Sequence, residues 1–277
     1  MRIRNRFAEL VILISQNLFF VRGGFRRVII KSIEKIINYS PEHDPEQSRI
    51  KTKVNGVPFY FYFDYQSDVK LAFGNYNKKE IDFLKRHMEE NSNFIDIGSN
   101  IGFYSLNIAN IYPKINFSKI ISIEPNHLMI ARQKENIELL DEVKNRISEK
   151  IIIENYALSD NSENLQLNLD KGYGSASLKM DVSKNSISVK TITLTEILER
   201  NEINYITCLK IDIEGYEDRA LIPFFESAPK SLYPKHIVME YTSMADWKNL
   251  NLINFLEDIG YELQFKTKAN ICLSLRL

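Results

Sequence analysis

Glycine is scarce in this chain, 10 of 277 residues, where roughly 7% is ordinary. Each glycine therefore carries positional meaning. No G-x-G-x-x-G can be written: Gly172 and Gly174 have the first spacing, but Ser177 holds the third place. No glycine is followed by Lys-Ser or Lys-Thr, so a P-loop is missing too. These absences exclude the usual phosphate cradles of nucleotide-binding loops. Cysteine is also rare. Cys208 and Cys272 both sit in apolar runs, which reads as buried, reduced thiols in a cytoplasmic protein. The four histidines, His43, His87, His127 and His236, do not cluster and form no H-E-x-x-H, so no histidine-rich metal site is expected. Charge of one sign is lacking as well. The 36 basic residues balance 36 acidic ones, which argues against broad electrostatic capture of nucleic acid.

What is present reads as globular, with 44% hydrophobic and 26% charged residues. The first 37 residues stand apart. They carry eight basic and two acidic residues, with Phe7, Val11, Ile14, Leu18, Val21 and Phe25 recurring every three or four positions. That is one apolar helical stripe. It is interrupted by Glu9, Ser15, Gln16 and Asn17, too short and too polar for a membrane span of about 20 residues. No A-x-A-like cleavage site follows. An amphipathic helix remains, either self-associating or packed on the protein, or lying on a membrane surface. Three regions follow from the pattern: an extension and linker over 1–50, a small β/α lead-in over 51–92 opened by an Asn55-Gly56 hairpin turn, and a main domain over 93–277.

In the main domain strands and helices alternate. Strands are expected at 94–97, 119–123, 151–158, 205–213 and 236–241. Helices are expected at 101–111, 127–140, 193–200, 216–225 and 246–259. Short β-runs fall at 165–169, 175–180 and 187–192, and a pair of strands at 261–267 and 271–277 closes the chain. Alternating βα units imply a mostly parallel sheet with helices on both faces, and ligands of such sheets bind beyond the carboxyl ends of the strands.

Two segments carry the chemistry. In Asp96-Ile97-Gly98-Ser99-Asn100-Ile101-Gly102 a strand ends, a glycine turn follows and a helix begins. A dinucleotide loop would have glycine at position 100 for the pyrophosphate. Asn100 stands there instead, and Asp96 adds a carboxylate that would repel phosphate. The loop suits a ligand with a cationic group and no phosphate, such as S-adenosylmethionine. Glu124-Pro125 ends the second strand, where a carboxylate offers two acceptors to two ribose hydroxyls. Further on, Ala157-Leu158-Ser159-Asp160 follows the third strand, and Lys210-Ile211-Asp212-Ile213-Glu214-Gly215 ends the fourth. Alternation along a persisting strand would aim Lys210, Asp212 and Glu214 in one direction.

These segments together resemble the FkbM family of methyltransferases, over about residues 75–241. The loop 94–102 is similar to that family's strand-turn motif, with Ser99 where Ala is usual. Lys210–Glu217 is its most specific motif, and Met239-Glu240-Tyr241 resembles the end of its fifth strand, with Thr242 where a histidine often follows. The resemblance implies a class I, Rossmann-like α/β fold: a doubly wound, mostly parallel sheet of seven strands, here with an N-terminal helical and hairpin extension. It implies an S-adenosylmethionine-dependent O-methyltransferase acting on hydroxyls of sugars, glycolipids or related natural products. By resemblance Asp96, Gly98, Ser99, Asn100, Gly102, Glu124, Pro125, Ala157 and Leu158 form the cofactor site, and Asp212, Glu214 and Glu240 face the acceptor. In the mechanism expected from these residues, Asp212 or Glu214 accepts the hydroxyl proton and Lys210 orients either. A metal-assisted variant through Asp212, a nicotinamide oxidoreductase and a membrane-peripheral scaffold without catalysis are the competing readings. Tyr173, Tyr216, Tyr241 and Trp247 either stack on a sugar or pack.

Overall fold

The computed structural model describes residues 49–62, 68, 71–72, 77–169, 177–179, 186–248 and 251–276. The N-terminal stripe and the loop around Gly172, Tyr173 and Gly174 lie outside the described residues. Among the described residues no helix is long and apolar enough to cross a membrane. The chain divides into two compact units, Met1–Lys78 and Lys79–Leu277.

The first unit contains an antiparallel hairpin of β1 (Arg49–Val54) and β2 (Val57–Tyr62), closed by the register Val54↔Val57. Asn55 and Gly56 both take positive φ, 54° and 81°. Those are the two left-handed positions of a type I′ turn, which Asn-Gly adopts most readily. The Tyr62 backbone N–H donates to buried Asp68 at 2.7 Å.

The second unit is a seven-stranded sheet with flanking helices and a small second sheet. In chain order it runs α1 (Lys78–His87), β3 (Asn93–Ile97), α2 (Phe103–Ala109), β4 (Lys119–Ile123), α3 (His127–Lys144), β5 (Ile151–Glu154), β6 (Ala157–Leu158), β7 (Asn164–Asn168), β8 (Ser177–Lys179), β9 (Ser186–Ile192), α4 (Leu194–Arg200), β10 (Cys208–Ile211), α5 (Glu217–Ser227), β11 (His236–Glu240), α6 (Leu252–Asp258), β12 (Tyr261–Lys266) and β13 (Asn270–Leu275). The large sheet has the order β12-β13-β11-β10-β3-β4-β5. Strands β11, β10, β3, β4 and β5 pair in parallel, while β13 is antiparallel to both β11 and β12. This is the doubly wound, mostly parallel sheet expected from the sequence, with a reversed closing hairpin. The order turns back between β3 and β10, and such a switch point opens a crevice at the carboxyl ends of the two strands. Helices on both faces explain why β3 and β10 are buried at every position. Ile95, Ile97, Ile121, Leu209, Ile211, Ile237, Met239 and Leu273 form the centre of the core.

Local signals set the helix starts. Thr193 caps α4 with a reciprocal capping box through Glu196. Asn126 caps α3 by accepting from the Leu128 N–H at 3.0 Å. Strands β6, β9, β7 and β8 form the second sheet, in that order.

Four expectations are corrected. The strand expected at 151–158 breaks in two, because Asn155 turns its amide onto the carbonyls of Glu124 and Pro125 at 3.0 and 2.8 Å; Ala157 and Leu158 then join the small sheet. The strand expected at 205–213 covers only Cys208–Ile211. The helix expected at 101–111 begins at Phe103, since Gly102 is left-handed, φ 79°. The helix expected at 246–259 begins only at Leu252. Met244–Asp246 makes one 3₁₀ turn, and buried Trp247 follows in extended conformation, ψ 136°, anchored by its indole to Glu217.

Candidate active site

The carboxyl end of β3 runs into the glycine turn. Gly98 has φ +69°, and a Cβ there would stand 1.9 Å from the Asp212 carbonyl oxygen. Only glycine lets the ends of β3 and β10 approach this closely. The Gly98 and Ser99 N–H groups both donate to the Ile123 carbonyl at 3.0 Å, and the Asp212 N–H donates to Ile97 at 3.1 Å. Three strand ends are thereby tied together. Gly102 is left-handed as well and faces the Gln133 side chain. The Ser99 hydroxyl donates to Gln133 at 3.3 Å, and the Gln133 amide donates to the Ser122 hydroxyl. Ser99 thus holds the turn onto α3.

Glu124 sits beside this turn at the end of β4. One carboxylate oxygen accepts the Asn100 N–H at 2.8 Å and the other the Asn126 N–H at 2.9 Å. Asn100 itself is left-handed, φ 52°. Burial, with a smaller push from Asp96, raises the Glu124 carboxyl to about 7 against the pull of the Asn126 and Asn100 N–H groups and the charge of Lys210. Each carboxylate oxygen keeps a lone pair beyond its one backbone donor. That acceptor pair fits the adjacent hydroxyls of a ribose, so the residues present suit an S-adenosyl nucleoside.

Asp96 and Lys210 have a different arrangement from the one expected. Asp96 is fully buried. One of its oxygens accepts the Ser105 N–H at 2.9 Å and the Ser105 hydroxyl at 2.6 Å. The other faces the Lys210 ammonium at 3.5 Å. That ammonium donates to the carbonyls of Gly98 at 2.7 Å and Ile97 at 3.1 Å, and lies 5.3 Å over the Tyr104 ring. Lys210 therefore braces the glycine turn. It does not point with Asp212 and Glu214, because β10 ends at Ile211 before that alternation can continue.

Past β10 the chain turns sharply. Glu214 is left-handed, φ 53°, as is Gly215 at 99°. A Cβ on Gly215 would stand 2.6 Å from the Asp246 side chain. The turn is held by Glu217, whose singular role the sequence reading passed over. Buried Glu217 accepts the N–H groups of Ile213 at 2.8 Å and Gly215 at 3.1 Å, and the Trp247 indole N–H at 2.7 Å. Burial raises its carboxyl above the usual range, and Asp212 adds to the rise. The sequence signal was a glutamate two places after the turn glycine, with a lone tryptophan thirty residues on. Glu240 closes the group from the end of β11. It is 7% exposed and accepts the N–H groups of Thr242 at 2.9 Å and Ser243 at 3.3 Å. Burial first, and then the charges of Asp212 and Glu217, raise it to about 7 against the pull of the Ser243 and Thr242 N–H groups.

Among the remaining candidates, Pro125 accepts the Asn155 amide. Ala157 and Leu158 are buried, Leu158 in the main core and Ala157 against the small sheet. Trp247 is packing, and the Tyr241 hydroxyl donates to Thr267 at 3.2 Å. Among the described residues no three acidic, histidine or cysteine side chains group closely enough to hold a metal ion.

A family model described as the methyltransferase FkbM domain matches residues 96–263. No curated protein matches the chain. Similar solved structures include methyltransferase FkbM from Methylobacillus flagellatus KT, with TM-score 0.44, 15% identity and coverage of 75% of this chain and 52% of that one. The chain thus spans about half the length of that relative. A precorrin-6y C5,15-methyltransferase from Geobacter metallireducens GS-15 has TM-score 0.43 and 12% identity over 72% of this chain and 89% of its own. TrmK from M. capricolum, in complex with S-adenosyl-homocysteine, has TM-score 0.39 and 8% identity over 70% and 66%.

Proposed function

The chain belongs to the FkbM methyltransferase family, whose methyl donor is S-adenosylmethionine, and we propose that it methylates a hydroxyl of a sugar, a glycan or glycolipid, or a related natural product. The observation that carries the hydroxyl reading is Glu240. It is a buried carboxyl held near neutrality by burial and by the charges of Asp212 and Glu217. A group titrating near the working pH is suited to take a proton from an acceptor of much higher pKa.

When bound, S-adenosylmethionine supplies an electrophilic methyl group on a sulfonium. In this reading Glu124 takes the ribose hydroxyls on its two free lone pairs. Asp96, braced by Lys210 and Ser105, keeps the glycine turn in shape; Gly98, Ser99, Asn100 and Gly102 form its wall, and Pro125, Ala157 and Leu158 flank it. Asp212 and Glu214, at the turn beyond β10, receive the acceptor's hydroxyls and align the reacting oxygen. Alignment of this kind is worth up to about 7–11 kcal/mol. Glu240 accepts the departing proton. Its burial and the neighbouring charges support Glu240 in this role, where the sequence pattern pointed to Asp212 or Glu214. Balanced net charge supports an acceptor smaller than a nucleic acid.

The test has two stages. Calorimetric titration with S-adenosylhomocysteine is expected to give micromolar binding that Glu124→Ala removes. Folded wild-type protein that binds none would return the scaffold reading. Methyl-labelled donor is then offered with neutral and acidic sugars. Alkali-stable label on the sugar marks an ether and supports the proposal. Label that alkali releases marks an ester, and the hydroxyl reading falls.

A further inference from the structure

Tyr216 is the residue on which the turn beyond β10 becomes helix α5. Its ring packs against the small sheet, at the cluster of Ala157, Leu167 and Val189. It therefore stands between the proposed acceptor turn and the second sheet. Arg219, in the first turn of α5, lays its guanidinium carbon 3.9 Å over that ring. Helical side chains lean toward the helix N-terminus, so the cation is brought back toward the turn that carries Asp212 and Glu214.

Arg219 is half-buried, and its Nε–H is enclosed with no hydrogen-bond acceptor. It forms no ion pair among the described residues. Glu217, two residues before it, is engaged elsewhere, holding Ile213, Gly215 and Trp247. An enclosed guanidinium N–H without an acceptor is costly to keep. A planar fork resting on an aromatic face is preset to bind a two-oxygen anion.

From this pairing we propose that Arg219, its guanidinium laid on the Tyr216 ring, forms an acceptor subsite for an anionic sugar, the ring as the support that fixes the guanidinium and the guanidinium as the partner of a carboxylate or phosphate on the acceptor. The proposal rests on the reading that the turn at 212–216 receives the acceptor. An acidic mouth of Asp212, Glu214 and Glu240 would otherwise repel such a molecule. Arg219 supplies the attraction at one side and leaves the hydroxyl end to the carboxylates.

The experiment uses the full chain saturated with S-adenosylhomocysteine. Glucose, glucuronate and glucose 6-phosphate are titrated by ligand-observed NMR. Glucuronate or the phosphate is expected to bind about 10–100-fold tighter than glucose, the span of a charge-assisted pair; the tighter of the two identifies the anion. Arg219→Gln removes the preference and keeps S-adenosylhomocysteine affinity. Arg219→Lys, with the charge but not the fork, recovers part of it. Equal binding of glucose and both anions by the wild type overturns the subsite, as does an undiminished preference in Arg219→Gln. Failure of the wild type to bind S-adenosylhomocysteine would instead overturn the methyltransferase reading, and this one with it.

Discussion

The turn after β3 and the turn after β10 are built from the same parts. Each follows a buried strand, carries acidic residues and a left-handed glycine, and includes a left-handed non-glycine residue, Asn100 in one and Glu214 in the other. Their charges differ. At the first turn Asp96 has Lys210 and Ser105, and Glu124 has two backbone donors. At the second, Asp212, Glu217 and Glu240 press on one another. Lys210 belongs in sequence to the second turn, yet its ammonium serves the first. Glu124 and Glu240 each accept two backbone N–H groups and each is raised to about 7, but the cation Lys210 opposes the rise at Glu124, whereas the charges acting on Glu240 are those of Asp212 and Glu217 and add to it.

The sharpest test of that contrast is Glu240→Gln. Turnover should drop by about 10²–10⁴-fold, the usual worth of a positioned base, with S-adenosylhomocysteine affinity unchanged. A carboxyl raised in the fold binds protons that the unfolded chain has released, so its presence costs stability as pH climbs from 4.5 to about 7. Glu240→Gln should therefore melt higher than wild type at pH 8. Unchanged turnover would break the contrast.

Lys210→Met attacks the other side. It leaves Asp96 buried without its cation and should cost about 3–5 kcal/mol in urea unfolding. The double variant with Asp96→Asn should recover a large part. A single variant as stable as wild type would mean the brace at the first turn is unimportant.

The smallest effect is a pH dependence. Glu124 must be ionised to offer all its lone pairs to ribose hydroxyls. Protonation near 7 then weakens S-adenosylhomocysteine binding as pH falls through that value, by up to about tenfold per unit. Glu124→Gln should bind weakly at every pH. Calorimetry from pH 5.5 to 8.5 reads both curves.

Much of the fold was legible because parallel strands buried on both faces read as apolar runs, and acids or glycines punctuate their ends. Ile95 and Ile97, Ile121 and Ile123, and Leu209 and Ile211 are such cases. The errors lie where one side chain redirected the backbone. Asn155 ended β5 by reaching the carbonyls of the neighbouring turn, Glu217 shaped the turn after β10 by taking the N–H groups of Ile213 and Gly215, and Trp247, bound to Glu217, precedes α6 in extended conformation. None of these has a signal in local periodicity, since Asn155 reaches partners 30 and 31 residues away and Trp247 one 30 residues away, while Glu217 bonds to the turn through its side chain and not through a repeat of apolar positions.

By itself the sequence determined that this is an alternating α/β chain with acids and glycines at its strand ends; spacing and residue type suffice for that. Only the tertiary structure decided which acids are neutralised. The order β11-β10-β3-β4 sets Lys210 in register with Asp96, 114 positions apart in sequence, and brings Glu240 beside Asp212. A carboxylate's partners, and hence whether it binds or accepts a proton, are fixed by which strand ends become neighbours, and that is a property of the folded sheet.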